Sequence, residues 1–254
     1  MSDFDLNGRV GIVTGGNGGL GLGMARGLAG AGAAIAIAAR NESKAQAAVS
    51  EIFAFGARCQ FYPFDAASAS SCRAMVEAVI ADFGRCDILV NNAGTTVRKR
   101  PELISEREWR EVFEVNLSGA MFCAQSVYPY MKAAGRGKII NIGSMYSLFG
   151  APLVAPYAAS KGGLVQLTRS LACAWAADNI QVNAILPGWI NTELTQSVRQ
   201  QIEGLNESVL ARTPVGRWGE PADLAGAAVF LSSAAADFIT GVVLPVDGGY
   251  SARG

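Results

Sequence analysis

Short apolar segments alternate regularly with longer helix-like segments along this 254-residue chain, and this alternation constrains the fold more than any other feature. Several apolar segments are nearly continuous, which is typical of strands covered on both faces. Strands are predicted at Arg9–Gly15, Ala33–Ala39, Cys59–Asp65, Cys86–Asn92, Gly137–Gly143, Ile180–Leu186 and Gly241–Asp247. Helices are predicted at Leu20–Ala31, Ser43–Phe55, Ser68–Phe83, Glu106–Met131, Pro156–Ala177 and Pro221–Leu231. Such βα alternation predicts an α/β fold with a doubly wound parallel sheet.

No linker, repeat or low-complexity tract divides the sequence, so we expect residues 1–254 to form a single domain. The stretch from Asn191 to Gly219 has helical patches but no strand, and it falls between the sixth and seventh strands. A long connection without a strand is often functional. We therefore expect a substrate lid near residues 190–219.

Composition argues against several classes of partner. Lys plus Arg equals Asp plus Glu, at 21 each, so no basic excess favours nucleic acid or an anionic membrane. The longest apolar run, GAAIAIAA, is far shorter than the ~20 residues of a membrane span. The first residues lack a basic segment followed by an apolar signal core. The five cysteines are scattered, without a CxxC pair, as in a reduced cytosolic protein. We expect a soluble cytoplasmic protein.

The sequence contains no histidine. Catalytic triads that use histidine, Cys-His pairs and HExxH zinc sites are therefore excluded. We expect no metal site, and an acid or base that works near neutral pH must be Tyr, Lys, Asp, Glu or Cys.

The first predicted strand leads directly into the glycine-rich sequence TGGNGGLGLG, which opens a helix. Gly15, Gly19 and Gly21 lie on this junction, where small residues let backbone N–H groups approach a pyrophosphate. The absence of a GK[ST] sequence argues against a nucleotide triphosphatase loop. The placement predicts binding of a dinucleotide.

The end of the second predicted strand favours NADP over NAD. An acidic residue here would bind the 2′-hydroxyl of NAD, whereas arginine suits the 2′-phosphate of NADP. Ala39 occupies the position at which the acidic residue of an NAD-binding sequence is expected, and Arg40 follows it. This favours NADP(H), with NAD(H) as the alternative. Arg40 has the alternative of being a solvated loop charge. Asp65, which ends the third predicted strand, is a candidate contact to adenine, a helix N-cap, or both.

The stretch PYAASKGG, from Pro156 to Gly163, combines a helix start with two ionisable side chains. Proline suits the first turn of a helix, and Tyr157 and Lys161, four residues apart, then share one face. Ser144 follows the preceding strand. Because ligands bind outside the carboxyl ends of parallel strands, we expect Ser144, Tyr157 and Lys161 near the nucleotide.

With these motifs in view, the chain resembles the short-chain dehydrogenase/reductase family over essentially its whole length. The likeness is carried by TGGNGGLG, by NNAG at Asn91–Gly94, VN at Val115–Asn116, GS at Gly143–Ser144, YAASK at Tyr157–Lys161 and PG at Pro187–Gly188. The resemblance implies a Rossmann-like sheet of seven strands in a three-layer αβα sandwich, and a homotetramer.

The resemblance also implies residue roles. Tyr157 would be the general acid/base, Lys161 would lower its pKa and bind the nicotinamide ribose, and Ser144 would orient the substrate carbonyl. Asn116 would hold a water in a proton relay, and Thr192 would contact the nicotinamide carboxamide. The implied cofactor contacts are completed by Gly15, Asn17, Gly18, Gly19, Leu20, Gly21, Arg40, Asp65, Ala66, Asn92, Ala93, Gly94, Tyr157, Lys161, Pro187, Gly188 and Ile190.

Within the family, the chain is most similar to dehydrogenases of sugar acids, such as gluconate 5-dehydrogenase and 2-deoxy-gluconate 3-dehydrogenase. This closer likeness is carried by NNAGTTVRKRP, KIINIGSMYS, RTPVGRWGEPADL and FLSSAAADFITG. Arg98, just beyond NNAG, is a candidate partner for a substrate carboxylate, with a plain surface cation as the alternative. Tyr146 is assigned to substrate contact or packing, and Trp189 to the substrate.

Three other functions stay open at this point. A 3-oxoacyl carrier-protein reductase would share the catalytic motifs and dock its acidic partner through Lys99, Arg100 and Lys132. A bulky ketone or polyketide reductase would use the apolar groups of SLFGAPLVAP and PGWI. A non-catalytic dinucleotide sensor on the same fold is disfavoured by the intact Ser, Tyr and Lys.

Overall fold

The structure of the protein, a computed structural model, describes residues 3–253, and its strands alternate with helices as the sequence predicts. The strands are β1 (Val10–Thr14), β2 (Ala34–Ala39), β3 (Cys59–Pro63), β4 (Ile88–Asn91), β5 (Gly137–Ile142), β6 (Ile180–Pro187) and β7 (Val243–Val246). They form one sheet in the order β3-β2-β1-β4-β5-β6-β7, with every neighbouring pair parallel. The predicted fold class is therefore confirmed.

The helices cover both faces of this sheet. They are α1 (Gly19–Gly30), α2 (Glu42–Ala54), α3 (Ala69–Phe83), α4 (Glu106–Phe113), α5 (Gly119–Ala133), α6 (Ala155–Trp175), α7 (Glu193–Gln201), α8 (Leu205–Arg212) and α9 (Ala225–Ser232). In the part of the chain that the structure describes, no helix combines the length and the apolar character that crossing a bilayer requires.

Burial along the strands explains why the sheet lies in the middle layer. All residues of β1, β5 and β6 are buried, because helices cover both faces of the central strands. One apolar cluster packs α1 and α9 onto one face, around Met24, Leu28 and Leu231. A second cluster packs α3, α5 and α6 onto the other face, around Val76 and Val127. The two clusters give three layers, with the carboxyl ends of the strands open along one edge.

The segment predicted as one helix from Glu106 to Met131 is interrupted. After α4, residues Glu114–Ser118 form a single π-helical turn, and α5 follows directly. Such wide turns inside helices often lie at functional sites, because the extra residue re-aims a side chain. Here the turn contains Asn116, which is 1% exposed.

Helix α1 lies close to the connection before α9 because glycine occupies the contact positions. A Cβ on Gly23 would lie 2.4 Å from the carbonyl oxygen of Pro221, and one on Gly27 would lie 2.6 Å from the Cβ of Ala225. Neither neighbour is the end of a flexible side chain, so a methyl group at either glycine would push the two elements apart.

We therefore predict that Gly23→Ala lowers the free energy of unfolding by about 1–3 kcal/mol, as overpacking of a close contact does. Gly30→Ala is the matched control in the same helix, since a Cβ there meets nothing within 4 Å. Removing a helical glycine should leave stability unchanged or raise it by up to about 1 kcal/mol. Denaturant unfolding of both variants measures the difference, and equal stability would contradict this account of the α1 contact.

Candidate active site

The cleft lies where the strand order reverses, between β1 and β4. In open parallel sheets this switch point, at the carboxyl ends of the strands, is where ligands bind. The lining comes from the carboxyl ends of the first four strands, the segments that follow them and the π-helical turn after α4. It consists of Gly15, Asn17, Ala39, Arg40, Asn41, Phe64, Asp65, Ala66, Asn92, Ala93, Gly94 and Val115. The structure thus brings eight of the residues predicted to bind the cofactor into one open cleft.

The turn between β1 and α1 is shaped for an anion. Gly15 and Gly19 have positive φ, at 63° and 49°, which side chains disfavour. A Cβ on Gly21 would lie 2.3 Å from the carbonyl oxygen of Gly15, so the turn closes only with glycine there. Gly18 precedes the helix with open space around it, and the first turn of α1 carries no acidic residue. The positive helix end is thus free for a pyrophosphate, while Leu20 packs on the core.

Thr14 and Asn92 connect the two strand ends that flank the cleft. The Thr14 hydroxyl accepts the backbone N–H groups of Asn92 and Ala93, at 2.9 and 3.0 Å, and donates to the carbonyl of Val90 at 3.2 Å. The Asn92 amide donates to the carbonyls of Thr14 and Gly15, at 3.0 and 3.2 Å. Thr14 was not singled out in the sequence, although it begins the glycine-rich motif.

Arg40 lies exposed at the end of β2, beside the same cleft. Within residues 3–253, its guanidinium makes neither a hydrogen bond nor an ion pair with the protein. Asp65 is also exposed, and its carboxylate accepts the N–H of Ala67 at 3.1 Å. The alternative that Asp65 is the N-cap of α3 is wrong, because Ser68 takes that position and accepts the N–H of Ser71. Asp65 is therefore not committed to capping the helix.

Ser144, Tyr157 and Lys161 meet beyond the end of β5. Ser144 begins a short 3₁₀ turn, and its hydroxyl accepts the N–H of Tyr146 at 3.2 Å. Pro156 lies in the first turn of α6, as predicted. One turn separates Tyr157 from Lys161, whose Nζ lies 5.8 Å from the tyrosine ring centroid. Lys161 is 4% exposed, and its Nζ donates to the carbonyl of Ile142 at 2.6 Å, which ties α6 to β5.

Burial dominates the protonation of this group. Burial raises the pKa of Tyr157, a hydrogen bond with Ser144 lowers it, and Tyr146 raises it further. Burial also lowers the pKa of Lys161, to about 8, so its ammonium still predominates at pH 7. The net shift of the Tyr157 pKa in the protein alone is upward, because desolvation of the tyrosinate outweighs the polar contacts, and the expectation that Lys161 lowers this pKa stays a prediction. A further positive charge beside the ring would favour the tyrosinate and so lower this pKa.

The π-helical turn between α4 and α5 directs Asn116 toward Lys161. Its amide donates to the carbonyl of Thr95 and to the hydroxyl of Ser160, both at 3.0 Å, and accepts the N–H of Thr95 at 2.8 Å. A Cβ on Gly94 would lie 3.4 Å from the Asn116 Oδ1 and 3.7 Å from the Lys161 Nζ. These two polar atoms therefore flank the same small volume. Ser160 was not predicted as part of this arrangement.

Edge-to-face aromatic contacts form a wall next to Tyr157. The ring centroid of Tyr146 lies 6.3 Å from that of Tyr157 and also 6.3 Å from that of Trp189, and both pairs have an interplanar angle of 83°. Trp189 in turn contacts Trp218 at 5.4 Å. Such geometries suit the quadrupoles of the rings. Tyr146 therefore packs between the tyrosine of the YAASK motif and Trp189, and Trp218 is a member of this wall that the sequence did not reveal.

Arg98 differs from the other two cations of the RKR sequence in its charge partners. Lys99 forms an ion pair with Glu108 and Arg100 with Glu102. Arg98 is exposed and has no carboxylate partner among the described residues. Burial raises the pKa of Tyr146, Tyr250 raises it further, and Arg98 lowers it, so Arg98 lies within electrostatic range of the wall. Tyr250, near the end of the chain, is a further neighbour that sequence reasoning missed.

The segment after β6 brings Thr192 over the glycine-rich turn. β6 ends at Pro187, and a Cβ on Gly188 would lie 2.6 Å from the Cα of Asp247. The Ile190 side chain packs in the core and is 4% exposed. Only its backbone is therefore available for the predicted contact with the cofactor. Thr192 caps α7, and a Cβ on Gly19 would lie 3.4 Å from its methyl group.

Comparison with known proteins gives one consistent result. The family described as Enoyl-(Acyl carrier protein) reductase matches residues 15–251. A 2-dehydro-3-deoxy-D-gluconate 5-dehydrogenase from Dickeya dadantii (strain 3937) is 42% identical over 254 residues, which are 100% of this chain and 99% of the relative. A gluconate 5-dehydrogenase from Gluconobacter oxydans (strain 621H) is 39% identical, over 97% of this chain and 96% of the relative.

A solved structure agrees with these relatives. The crystal structure of a gluconate 5-dehydrogenase from Burkholderia cenocepacia J2315, in complex with NADP and tartrate, superposes with a TM-score of 0.94. It is 42% identical and covers 99% of this chain and 98% of its own. Together with the glycine turn of β1 and the Ser144, Tyr157 and Lys161 side chains, these similarities establish that the chain belongs to the short-chain dehydrogenase/reductase family of NAD(P)-dependent oxidoreductases.

Proposed function

We propose that this protein interconverts a secondary alcohol and a ketone on a sugar acid, with NADP(H) as the preferred hydride carrier. One observation carries the substrate class: the exposed guanidinium of Arg98 lacks a carboxylate partner in the described chain and lies within electrostatic range of Tyr146, which contacts Tyr157. The relatives support the same class, since two of them are named as dehydrogenases of gluconate or a dehydro-deoxygluconate.

The residues of the cleft fit NADP(H). The turn before α1 offers glycine backbone to an anion, since Gly15 lines the cleft beside Asn17 and Gly18 has open space around it. Arg40 adds an unpaired guanidinium at the end of β2, where the 2′-phosphate of NADP is expected. Asp65 and Asn92 line the same cleft. When bound, the nicotinamide supplies or accepts the hydride, and the protein supplies position and a proton.

Tyr157 is the general acid and base in this proposal. In reduction its hydroxyl gives a proton to the carbonyl oxygen of the substrate, and in oxidation it takes the proton of the alcohol. Ser144 orients the same oxygen, since its hydroxyl already interacts with that of Tyr157. Lys161 holds a buried ammonium one helical turn away, which favours the tyrosinate. Thr192 and the backbone near Gly188 and Ile190 position the ring of the cofactor.

Proton exchange with solvent runs past Lys161 and Asn116 in this proposal. Gly94 leaves room beside the Lys161 Nζ and the Asn116 Oδ1, at 3.7 and 3.4 Å from where its Cβ would be. Both Nδ2 hydrogens of Asn116 are engaged by Thr95 and Ser160, so its acceptor oxygen faces this volume with capacity for a water. Ser160 thereby fixes the orientation of the relay residue.

The carrier-protein reductase is disfavoured by the partners of its proposed docking residues. Lys99, Arg100 and Lys132 are each paired with a carboxylate of this chain, Lys132 with Asp178 at 3.1 Å. Paired charges attract an acidic partner less than free ones do. The bulky-ketone alternative has support in the 52% exposure of Leu148, and a panel of keto-sugar acids, acetoacetyl thioesters and bulky ketones separates the three.

The segment at residues 190–219 is proposed as the substrate lid of a single domain, since it carries Thr192 and contacts the aromatic wall through Trp218. We further propose a cytoplasmic homotetramer, as the family resemblance implies. The exposed apolar side chains of Leu103 and Trp109, at 64% and 41% exposure, are candidates for a surface between subunits. Light scattering after gel filtration tests the assembly.

The proton transfer is tested at Tyr157. We predict that Tyr157→Phe lowers kcat at least ~100-fold while NADPH still binds, because the variant loses one hydroxyl and keeps the ring. Steady-state kinetics and cofactor fluorescence measure the two effects. Tyr130→Phe is the matched control, since Tyr130 lies on the exposed face of α5 and should leave kcat unchanged. Near-normal turnover of Tyr157→Phe would move the acid/base role to Tyr146.

Cofactor choice is tested at Arg40. We predict that the unmodified protein binds NADPH more tightly than NADH, because Arg40 alone offers a strand-end guanidinium to the 2′-phosphate. Arg40→Ala should weaken NADPH and leave NADH unchanged, whereas Arg40→Asp should reverse the preference by accepting the 2′-hydroxyl of NADH. Titration of both cofactors checks this. Tighter binding of NADH than of NADPH by the unmodified protein would contradict the assignment of Arg40 to the 2′-phosphate.

The substrate carboxylate is tested at Arg98. We predict that Arg98→Lys raises KM for a keto-gluconate by about tenfold, because lysine cannot reproduce a bidentate guanidinium–carboxylate pair. A neutral ketone of similar size should be affected much less. Arg100→Lys is the matched control, since that side chain is 70% exposed and paired with Glu102. Equal small effects on both substrates would leave Arg98 as a surface charge.

A further inference from the structure

Trp218 closes the proposed lid from its carboxyl-terminal end. It is 5% exposed, and its indole N–H donates to the Asn206 side chain at 3.0 Å. Next to it, Gly219 donates its N–H to the carbonyl of Trp189 at 2.9 Å and accepts the N–H of Asn191 at 2.8 Å. The two ends of the lid segment are therefore joined by backbone hydrogen bonds, directly beneath the contact between Trp189 and Trp218.

Arg199, on α7 in the middle of the lid, contacts both ends. Its Cζ lies 3.7 Å from the centroid of the Trp218 ring, and its Nη2 donates to the side chain of Asn191. Its Nε is buried without a hydrogen-bond partner, and no carboxylate pairs with it in the described chain. A planar guanidinium stacks on the face of tryptophan through cation–π attraction, which lysine reproduces poorly. Arg199 thus combines a stack on Trp218 with a hydrogen bond to Asn191.

We propose that Arg199 is a positioning residue for substrate binding, which acts through Trp218 on Trp189. This inference rests on the proposed function, because it takes Trp189 and Tyr146 as the substrate wall. Trp218 contacts both residues: the Arg199 Cζ lies 3.7 Å from its ring centroid, and the Trp189 ring centroid lies 5.4 Å away. The stack therefore sets how closely Trp189 approaches Tyr146 and the volume left for the substrate.

The neighbouring Arg217 shows that position, not charge alone, defines this role. Arg217 also lies on the lid, but both of its Nη atoms donate to Asp223, at 2.6 and 2.9 Å. It thus holds the end of the segment through an exposed ion pair, whereas Arg199 holds a ring of the wall. Since Arg199 touches no reacting group, its loss should weaken substrate binding more than the chemical step.

The test compares KM with kcat. We expect Arg199→Met, which keeps the length and removes the guanidinium, to raise KM for the keto-gluconate about tenfold and to change kcat by less than about twofold. Arg199→Lys should not restore KM, because the ammonium lacks the planar stack. The dissociation constant for NADPH should stay unchanged. Arg26→Met is the matched control, since Arg26 is 46% exposed and paired with Glu51, outside the lid.

A double-mutant cycle tests whether Arg199 acts through Trp218. Trp218→Leu should raise KM by a similar factor, and the double variant should be no worse than the poorer single variant. Effects that multiply would show that Arg199 acts independently of Trp218, through Asn191 or on the substrate itself, and would overturn the proposal. An unchanged KM in Arg199→Met would overturn it as well.

Hydrogen exchange separates this inference from the proposed function. If the unmodified protein reduces no keto-sugar acid, the proposed substrate class fails, yet the stack still has a measurable consequence. The amides of Asn191 and Gly219 join the two ends of the lid, so Arg199→Met should speed their exchange at least about tenfold relative to the unmodified protein. Arg26→Met should leave both amides unchanged. Equal protection of these amides in Arg199→Met would show that Arg199 does not hold the lid.

Discussion

The hydroxyl of Thr14 joins the carboxyl ends of β1 and β4, and the cofactor cleft opens between these two strands. Three backbone groups meet this single oxygen: it accepts the N–H groups of Asn92 and Ala93 and donates to Val90. The Asn92 amide then fixes the carbonyl of Gly15 at 3.2 Å. The glycine turn and the cleft depend on this geometry, because a shift of β4 relative to β1 would move both walls of the cleft.

Most of the fold could be predicted from the sequence, because the strands of a parallel sheet that are buried on both faces consist mainly of apolar residues. Every strand was predicted within two residues of its position, as in β5, predicted at Gly137–Gly143 and found at Gly137–Ile142. The glycine turn and the YAASK motif could also be predicted, because a turn with positive φ favours glycine and the first turn of a helix favours proline. Local sequence thus determined which strand ends carry the site.

The sequence did not predict the contacts between residues that are far apart along the chain. Ser160 orients Asn116 across 44 residues, and the bond exists only because a π-helical turn re-aims the asparagine. Nothing in the apolar pattern from Glu106 to Met131 marks that turn. Trp218 reaches Trp189 only because the segment at residues 190–219 folds back on itself, and Tyr250 approaches Tyr146 from a distant part of the sequence. Such pairs depend on register and packing, which residue types alone do not specify.

Recognition of anions by this protein must be local, since its positive and negative charges balance at 21 each. A protein without net charge does not attract anions over distances longer than the Debye length of ~8–10 Å. Unpaired cations close to the site therefore decide which anion stays bound. Arg40 and Arg98 meet this requirement, since neither shares its charge with a carboxylate in the described chain, while Lys99 and Arg100 beside Arg98 do. The ion pairs of Lys99 and Arg100 therefore leave Arg98 as the cation of this loop without a carboxylate partner among the described residues, and we propose Arg40 for a phosphate and Arg98 for a carboxylate.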